Sequence, residues 1–193
     1  LMYLGRESLG ASGLNVRALP KMTNFLKNNG PWNQLVTLNN IDLEEIEFEK
    51  ISSIFNNIEI IPLQVPHRDE YSETAGYIIK GENKKALFIP DIDKWEKWET
   101  DISKAISEVD YAFVDATFFD GKEINRSDIS EIPHPFIVES MELFKNLSSE
   151  EKQKIHFIHF NHTNPLLNSE SEAYKAVINN GFNIAQIDMI ISL

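Results

Sequence analysis

Three short apolar runs in this chain each end at a histidine or an aspartate, and this pattern constrains the fold more than any other feature. The runs and the residues that follow them are 58–65 with His67, 86–89 with Asp91, and 155–158 with His159. Runs of this length, rich in β-branched and aromatic residues, are typical of buried strands. A polar group at the end of a strand is held on a rigid frame and stays open to solvent. We therefore expect the three side chains to meet at a single metal site.

The order of the remaining patterns predicts a layered α/β domain with a mixed sheet. Strand patterns dominate the first half of the chain, and helical patterns alternate with strands in the second half. The predicted strands are 14–19, 36–38, 45–48, 58–65, 74–80, 86–89, 111–114, 155–160, 182–185 and 189–191, with 74–80 and 86–89 paired as a hairpin. The predicted helices are the end of one in 1–13 and others at 21–29, 94–106, 135–147 and 170–180, the last stopped by Gly181. A turn is expected at 56–57 and a loop over 118–133, and residues 1–193 are expected to form one domain.

The composition narrows the partners and the chemistry. Hydrophobic residues make up 42% of the 193 residues, which is enough for a sizeable core. The net charge of −12 makes nucleic acid and an anionic membrane surface unfavourable partners. The absence of cysteine excludes a disulfide framework, a cysteine zinc site and a thiol nucleophile. Since the sequence shows neither a signal peptide nor an apolar run of transmembrane length, we expect a cytoplasmic protein. Because the acidity disfavours RNA, we expect a small molecule or a peptide as the substrate.

Histidines are the first candidates for chemistry, and the chain has five of them: His67, His134, His156, His159 and His162. His156 lies inside a strand pattern, so we expect a structural role for it. A polar loop and then an apolar strand follow His67, an arrangement that brings its imidazole to a sheet edge. His159 closes its strand and His162 follows in a polar turn, so we expect one of them to bind a metal while the other supports it.

Two aspartates follow the run at 86–89. Asp91 is the candidate metal ligand, and its alternative role is to cap the helix predicted from residue 94. Asp93 fits that capping role better because it lies closer to the helix. Two imidazoles with one carboxylate suit Zn²⁺, Mn²⁺ or Fe²⁺, which accept mixed nitrogen and oxygen ligands.

The surroundings of these residues resemble the metallo-β-lactamase superfamily, and in particular its branch of pyrroloquinoline quinone biosynthesis protein B. The stretches that carry the resemblance are 65–70, 88–95, 110–119, 132–136 and 157–167. They span most of the chain from residue 58 onward, and the last one is the most specific to the branch. The resemblance implies a metallo-β-lactamase-like αββα sandwich, of which this chain would supply the C-terminal two thirds.

The resemblance also implies roles for individual residues. His67 matches a ligand of one metal, Asp91 a carboxylate that bridges two metals, and His159 a ligand of the second metal. His162 is the second choice for that late ligand. His134 matches a histidine near a substrate phosphate that donates a proton, so Asp91 and His134 are the expected catalytic residues. The open alternative is that His134 is a rigid loop element between two prolines.

The resemblance has one large departure. The first metal motif of the superfamily, His-x-His-x-Asp-His, does not occur in the 193 residues, and the opening Leu-Met-Tyr-Leu-Gly is similar to the segment that follows it. We therefore expect a domain that is incomplete at its N-terminus. A homodimer is an open alternative to a monomer. The implied activity is a hydrolase with one or two Zn²⁺ ions, or Mn²⁺ or Fe²⁺, acting on a small molecule or a phosphodiester. The alternatives are an oxidase like those of quinone biosynthesis and a non-catalytic accessory protein that has lost the metal.

Overall fold

The computed structural model describes residues 1–55, 57–123 and 132–193, which divide into two compact units. The first unit contains Leu1–Ser52 and Arg68–Glu73, and the second contains Ser53–His67 and Thr74–Leu193. Residue 56 of the expected turn and residues 124–131 of the expected loop lie outside the described residues. That the units form a single domain stays a prediction from the sequence.

The first unit is built on a pair of parallel strands, β1 (Leu14–Ala18) and β2 (Ile41–Glu45). Two helices, α1 (Pro20–Asn28) and α2 (Trp32–Thr37), connect these strands, because parallel neighbours require a crossover between them. The strand predicted at 36–38 is therefore wrong: its first two residues end α2, whose Leu35 is buried. The strand predicted at 45–48 is misplaced, since it shares only Glu45 with β2 and residues 46–48 form no strand. The expected helix in 1–13 is only a 3-10 turn at Met2–Leu4.

The second unit contains a seven-stranded mixed sheet with the strands in sequence order. The strands are β3 (Ser52–Phe55), β4 (Ile58–Gln64), β5 (Ala75–Lys80), β6 (Lys85–Ile89), β7 (Tyr111–Asp115), β8 (Ile155–Ile158) and β9 (Asn183–Ile184). The hairpin predicted between 74–80 and 86–89 is present, with β5 antiparallel to β6. From β6 to β9 the neighbouring strands are parallel.

Strand direction decides where the chain leaves the sheet. Because β4 is antiparallel to β5 and β5 is antiparallel to β6, β4 points the same way as β6. The carboxyl ends of β4, β6, β7 and β8 therefore meet at one edge of the sheet, which is where open α/β sheets place their ligands. We refer to this edge as the carboxyl edge.

Helices fill the crossovers between the parallel strands. They are α3 (Ile102–Ser107) before β7, α4 (Ile137–Leu143) and α5 (Ser149–Lys154) before β8, and α6 (Glu172–Asn179) before β9. Apolar side chains from α3 and α4 and from the central strands form the core, among them Ile106, Val114, Ile137 and Phe157, all fully buried. The predicted α/β class, with a mixed sheet flanked by helices, is confirmed.

The helices observed after β6 and β7 are shorter than the predicted ones. The helix predicted at 94–106 is a 3-10 turn at Trp95–Lys97 followed by α3, because Asp101 caps α3 through bonds from the N–H groups of Ser103 and Lys104. The helix predicted at 135–147 is the shorter α4, and Leu143 at its end is 48% exposed.

Of the predictions for the C-terminal residues, one is confirmed and one is wrong. Gly181 follows the end of α6 with a left-handed φ of 87°, as predicted. Residues 189–191 form no strand, and the Ile190 side chain is almost fully exposed. Within the described parts of the chain, no helix combines the length and apolarity needed to cross a bilayer.

His156 has the structural role that its position predicts. It is buried in β8, where its ring centroid lies 5.1 Å from that of Phe113 and 6.3 Å from that of Tyr111. Its Nδ1 donates to the Lys154 carbonyl at 2.9 Å. Burial lowers the pKa of His156 below its usual 6.5, since the charged imidazolium is poorly solvated there.

We predict that His156 makes the fold less stable at mildly acidic pH. Because its folded-state pKa is depressed, the unfolded chain binds more protons, so stability falls as the pH drops below about 6.5. Urea unfolding at pH 7.5, 6.5 and 5.5 should therefore show the wild type losing stability relative to His156→Leu as the pH falls. The variant His162→Asn, which removes an exposed imidazole, serves as the control. Parallel pH curves for wild type and His156→Leu would contradict the prediction.

Candidate metal centre

Ionisable side chains from four strand ends converge at the carboxyl edge. His67 follows β4, Asp91 follows β6, Asp115 is the last residue of β7 and His159 follows β8. The potential ligand atoms of His67, Asp91 and His134 lie within 4.8 Å of one another. Those of Asp91, Asp115 and His159 form a second group of the same size. Asp91 belongs to both groups, so the arrangement is two adjacent groups that share one carboxylate.

The structure thus brings the three predicted ligands to one edge but divides them. His67 lies in one group and His159 in the other, and Asp91 connects them. His134, predicted as a proton donor, lies beside His67, with the two ring centroids 5.4 Å apart. His162 is exposed and belongs to neither group among the described residues.

One carboxylate oxygen in the centre has no hydrogen-bond partner in the described chain. Asp91 Oδ1 is buried, 3.1 Å from His67 Nε2 and 3.4 Å from His134 Nδ1, yet neither contact has the geometry of a hydrogen bond. A buried carboxylate oxygen without a partner is costly. A cation next to this oxygen would remove that cost.

The tautomer of His67 supports the same conclusion. Its Nδ1 is 3.0 Å from Asp93 Oδ1, and since an ionised carboxylate only accepts, Nδ1 carries the proton. In a neutral His67 the Nε2 atom then carries a lone pair, and it lies 3.1 Å from Asp91 Oδ1 with no hydrogen bond between them. A cation beside both atoms would use both as ligands. Nitrogen and oxygen ligands of this kind fit Zn²⁺, Mn²⁺ or Fe²⁺.

Asp93 orients His67 and does not cap a helix, so the predicted cap is wrong. The Asp93 N–H donates to the Pro66 carbonyl at 2.8 Å, which ties the chain after β6 to the chain after β4. Its second oxygen accepts from Lys97 at 3.0 Å. Burial opposes ionisation of Asp93, but the bonds from Lys97 and His67 outweigh it and lower the pKa of Asp93.

Asp115 is the most deeply buried polar group of the centre, with no exposed surface. Its Oδ1 accepts from the Thr117 hydroxyl at 2.6 Å and the Thr117 N–H at 2.9 Å. Its Oδ2 accepts from His134 Nδ1 at 2.8 Å and from the Ile92 N–H at 3.1 Å. Burial disfavours the charge, but the bonds from His134 and Thr117 and the nearby His159 ring more than compensate and lower the pKa of Asp115 to about 2.

His159 is positioned by a strained backbone and a hydroxyl bond. Its φ of 66° lies in the left-handed region, which costs a non-glycine residue roughly 1–3 kcal/mol. Because the Thr117 hydroxyl donates to Asp115, its oxygen accepts from His159 Nδ1 at 3.0 Å. The nearby Asp115 carboxylate raises the pKa of His159, against the opposing effect of burial. The bond leaves Nε2 of His159 available to a ligand.

A buried asparagine holds the chain exits of β7 and β8 together. Asn164 donates from Nδ2 to the Ala116 carbonyl at 2.8 Å and to the Thr117 carbonyl at 3.2 Å. The Asn161 N–H donates to the same Thr117 carbonyl at 3.0 Å. These bonds place the Thr117 hydroxyl next to His159.

Sequence reasoning missed four of these residues: Asp93 as a histidine partner, Asp115, Thr117 and Asn164. Asp115 had a usable signal, since it ends an apolar run in the same way as Asp91 does. Thr117 and Asn164 act through contacts between separate parts of the chain, and no local pattern indicates such contacts.

The comparison with known families decides the classification. The sequence model described as "Beta-lactamase superfamily domain" matches residues 9–159. The chain belongs to the β-lactamase superfamily. This confirms the resemblance to the metallo-β-lactamase proteins that the sequence motifs indicated. No curated protein matches the sequence significantly.

Solved structures agree on the fold of this superfamily member. Zn²⁺-bound PqqB from Methylobacterium extorquens matches 94% of the chain with a TM-score of 0.74 and 16% identity. Unliganded yeast PDE1 matches 90% with a TM-score of 0.56 and 10% identity, and a diphosphatase from the PhnP family matches 93% with a TM-score of 0.50 and 18% identity. At such identities the likeness shows the fold alone. The chain spans 63%, 58% and 57% of these three structures, respectively.

We predict that Asp115 stabilises the metal-free protein in a pH-dependent way. Its pKa of about 2, against a usual 3.8, corresponds to about 2 kcal/mol of stability above pH 4, which is lost as the pH falls towards 2. Asp115→Asn, measured by urea unfolding with a chelator present, should lose about that amount at pH 7 and progressively less below pH 4. The exposed Asp188→Asn is the matched control. A loss that is the same at both ends of this pH range would contradict the prediction.

Proposed function

We propose that this protein is a metal-dependent hydrolase that cleaves a phosphoryl or acyl bond in a small molecule or a phosphodiester. The observation that carries the proposal is the buried Asp91 Oδ1, which lies next to His67 and His134 without a hydrogen bond from the described residues. Membership of the β-lactamase superfamily supports it. The structural likeness to a diphosphatase and to yeast PDE1 is compatible with it.

In this proposal His67, Asp91 and His159 hold the metal. His67 and His159 each bond a protein oxygen through Nδ1, which leaves Nε2 as the ligand atom on both. Asp91 lies in both groups of potential ligands, so it is the residue suited to bridge two ions. Zn²⁺ is the first choice, with one or two ions, and Mn²⁺ or Fe²⁺ are the alternatives. When bound, such an ion polarises the scissile group and lowers the pKa of an attached water.

His134 is assigned to proton transfer rather than to the metal. Its Nδ1 donates to Asp115, so Nε2 is the nitrogen that exchanges a proton. Because the pKa of Asp115 is about 2, its carboxylate stays ionised near neutral pH and remains the acceptor for His134 Nδ1. Protonated His134 then donates to the leaving group of the substrate.

A second candidate function is oxidation of a peptide or small molecule with iron at the same ligands. The observation that favours it is a match to CmlA, a diiron β-hydroxylase from Streptomyces venezuelae, with a TM-score of 0.52 and 15% identity. The chain covers 38% of CmlA. Bound Zn²⁺ would remove the oxidase, since oxidation requires a redox-active ion. Fe²⁺ or Mn²⁺ fits both candidates, and turnover of a phosphodiester then separates them. A protein that binds no metal would be the non-catalytic accessory form.

We predict that metal content follows the three proposed ligands. After dialysis against Zn²⁺, Mn²⁺ or Fe²⁺, elemental analysis should show at least one bound equivalent in the wild type and a clear loss in His67→Ala, Asp91→Ala and His159→Ala. Asp93→Ala should bind metal about 10–100-fold more weakly, because it frees the His67 ring. His162→Ala, the exposed control, should match the wild type. If His162→Ala lost metal and His159→Ala kept it, the ligand assignment would be wrong.

We predict that His134→Ala keeps the metal but loses turnover. With diphenyl phosphate as substrate, whose phenolate leaving group needs protonation, kcat should fall about 10²–10⁴-fold, the usual contribution of a positioned proton donor. A substrate with a better leaving group should recover part of the rate, because it needs less protonation. A parallel loss of bound metal would instead make His134 a ligand, which its place beside His67 and Asp91 also permits.

A further inference from the structure

A groove of about 690 Å³ lies beside the candidate centre. Residues 95–96 and 98–102 form one of its walls, and Pro135 with α4 forms the other. Pro135 directly follows His134, and Trp95 is two residues beyond Asp93. Both walls therefore begin next to side chains of the centre. A volume of this size is typical of sites for small ligands or short peptide segments.

The apolar walls of the groove have no spare indole donors. Trp95 donates its indole N–H to the Ser140 hydroxyl at 2.9 Å, and Trp98 donates its own to the Gln64 carbonyl at 2.8 Å. Both indole N–H groups are used inside the protein. Trp98 offers an occupant its ring surface, which attracts apolar groups and cations, while Trp95 in the same wall is largely buried.

The charged groups that line the groove are all negative within the described chain. They are Glu96, Glu99, Asp101, Glu139 and Glu142. Two of them are paired with lysines that do not line the groove: Glu139 with Lys94 at 2.5 Å, and Glu142 with Lys145. Asp101 caps α3. Among the described residues, none makes a hydrogen bond or an ion pair with the side chains of Glu96 and Glu99, which are both exposed.

These features specify the kind of occupant. A groove that presents acceptors and ring surface, without donors of its own on the indoles, fits a cation with an apolar stem. Arginine and lysine side chains combine these properties, and both bind over tryptophan rings. We propose that the groove binds a peptide segment that carries arginine or lysine.

The position of the groove beside His134 connects the proposed binding to catalysis. This step alone rests on the proposed function. A basic residue held between Trp98 and α4 would place its chain neighbours next to His134. The substrate class is then a peptide, or a small molecule with a cationic group, whose reacting bond lies near the positive charge. Anionic polymers such as RNA would be repelled by Glu96 and Glu99.

Peptide titration tests the groove directly. Acetyl-(Arg)₃-amide and acetyl-(Lys)₃-amide should bind with saturable changes in tryptophan fluorescence and a 1:1 stoichiometry by calorimetry, and acetyl-(Glu)₃-amide should not bind. The double variant Glu96→Gln/Glu99→Gln should weaken binding about tenfold, and Trp98→Ala should weaken it by a similar factor. The matched control is Glu82→Gln/Glu150→Gln, which removes two exposed carboxylates outside the groove and should leave the affinity unchanged.

The outcomes are separable from those of the proposed function. The titration is done with and without a chelator, since the groove contains none of the proposed ligands. Peptide binding with and without the chelator, together with no hydrolysis by the metal-loaded protein, would support the groove and remove the hydrolase. Absence of saturable binding up to millimolar peptide, or equal weakening in the control variant, would overturn the groove proposal whatever the activity. Thermal unfolding of each variant checks that the fold is kept.

Discussion

The buried carboxylate of Asp115 is the group on which the geometry of the centre depends. Its two oxygens accept from the chain after β6, from the chain after β7 and from His134. Through the Thr117 hydroxyl it also reaches His159. An ionised group without exposed surface is stable only when its acceptors are saturated, so the surrounding donors are held in fixed positions. This one residue therefore couples three strand exits that are distant in sequence.

Strand direction supplies the rest of the arrangement. The parallel strands β6, β7 and β8 point the same way as β4, which lies two places from β6 in the sheet. His67, Asp91 and His159 therefore leave the sheet at a common edge. Each ring of His67 and His159 is then fixed by a protein oxygen on Nδ1, Asp93 in one case and Thr117 in the other. The pattern is that of histidines prepared for a metal, because the partner fixes both tautomer and orientation before an ion arrives.

The groove beside the centre extends the same logic to the substrate. Its tryptophans are held by internal hydrogen bonds, so their rings form fixed walls. Solubility accounts for the acidity of the chain as a whole. In the groove, however, carboxylates lie beside an aromatic wall, and this combination favours a cationic occupant. Chemistry at the edge and recognition in the groove would then act on one ligand.

The sequence alone determined the α/β class, the superfamily and the strand ends at which His67, Asp91 and His159 lie, because apolar periodicity and short motifs are local properties. It failed where local propensity competes with long-range pairing. Residues 36–38 have a strand pattern, yet 36 and 37 end a helix, since the parallel pair of β1 and β2 needs a crossover.

Only the tertiary structure decided which partners the polar groups choose. Asp93 bonds His67 instead of capping a helix, and Asp115 joins the centre, because both bonds cross between separate strand exits. It also divided the predicted ligands into two groups joined by Asp91, and it placed His159 rather than His162 beside them. The physical reason is that a buried charged group bonds whichever donors or acceptors lie near it in space. The spacing of residues along the chain does not reveal these neighbours.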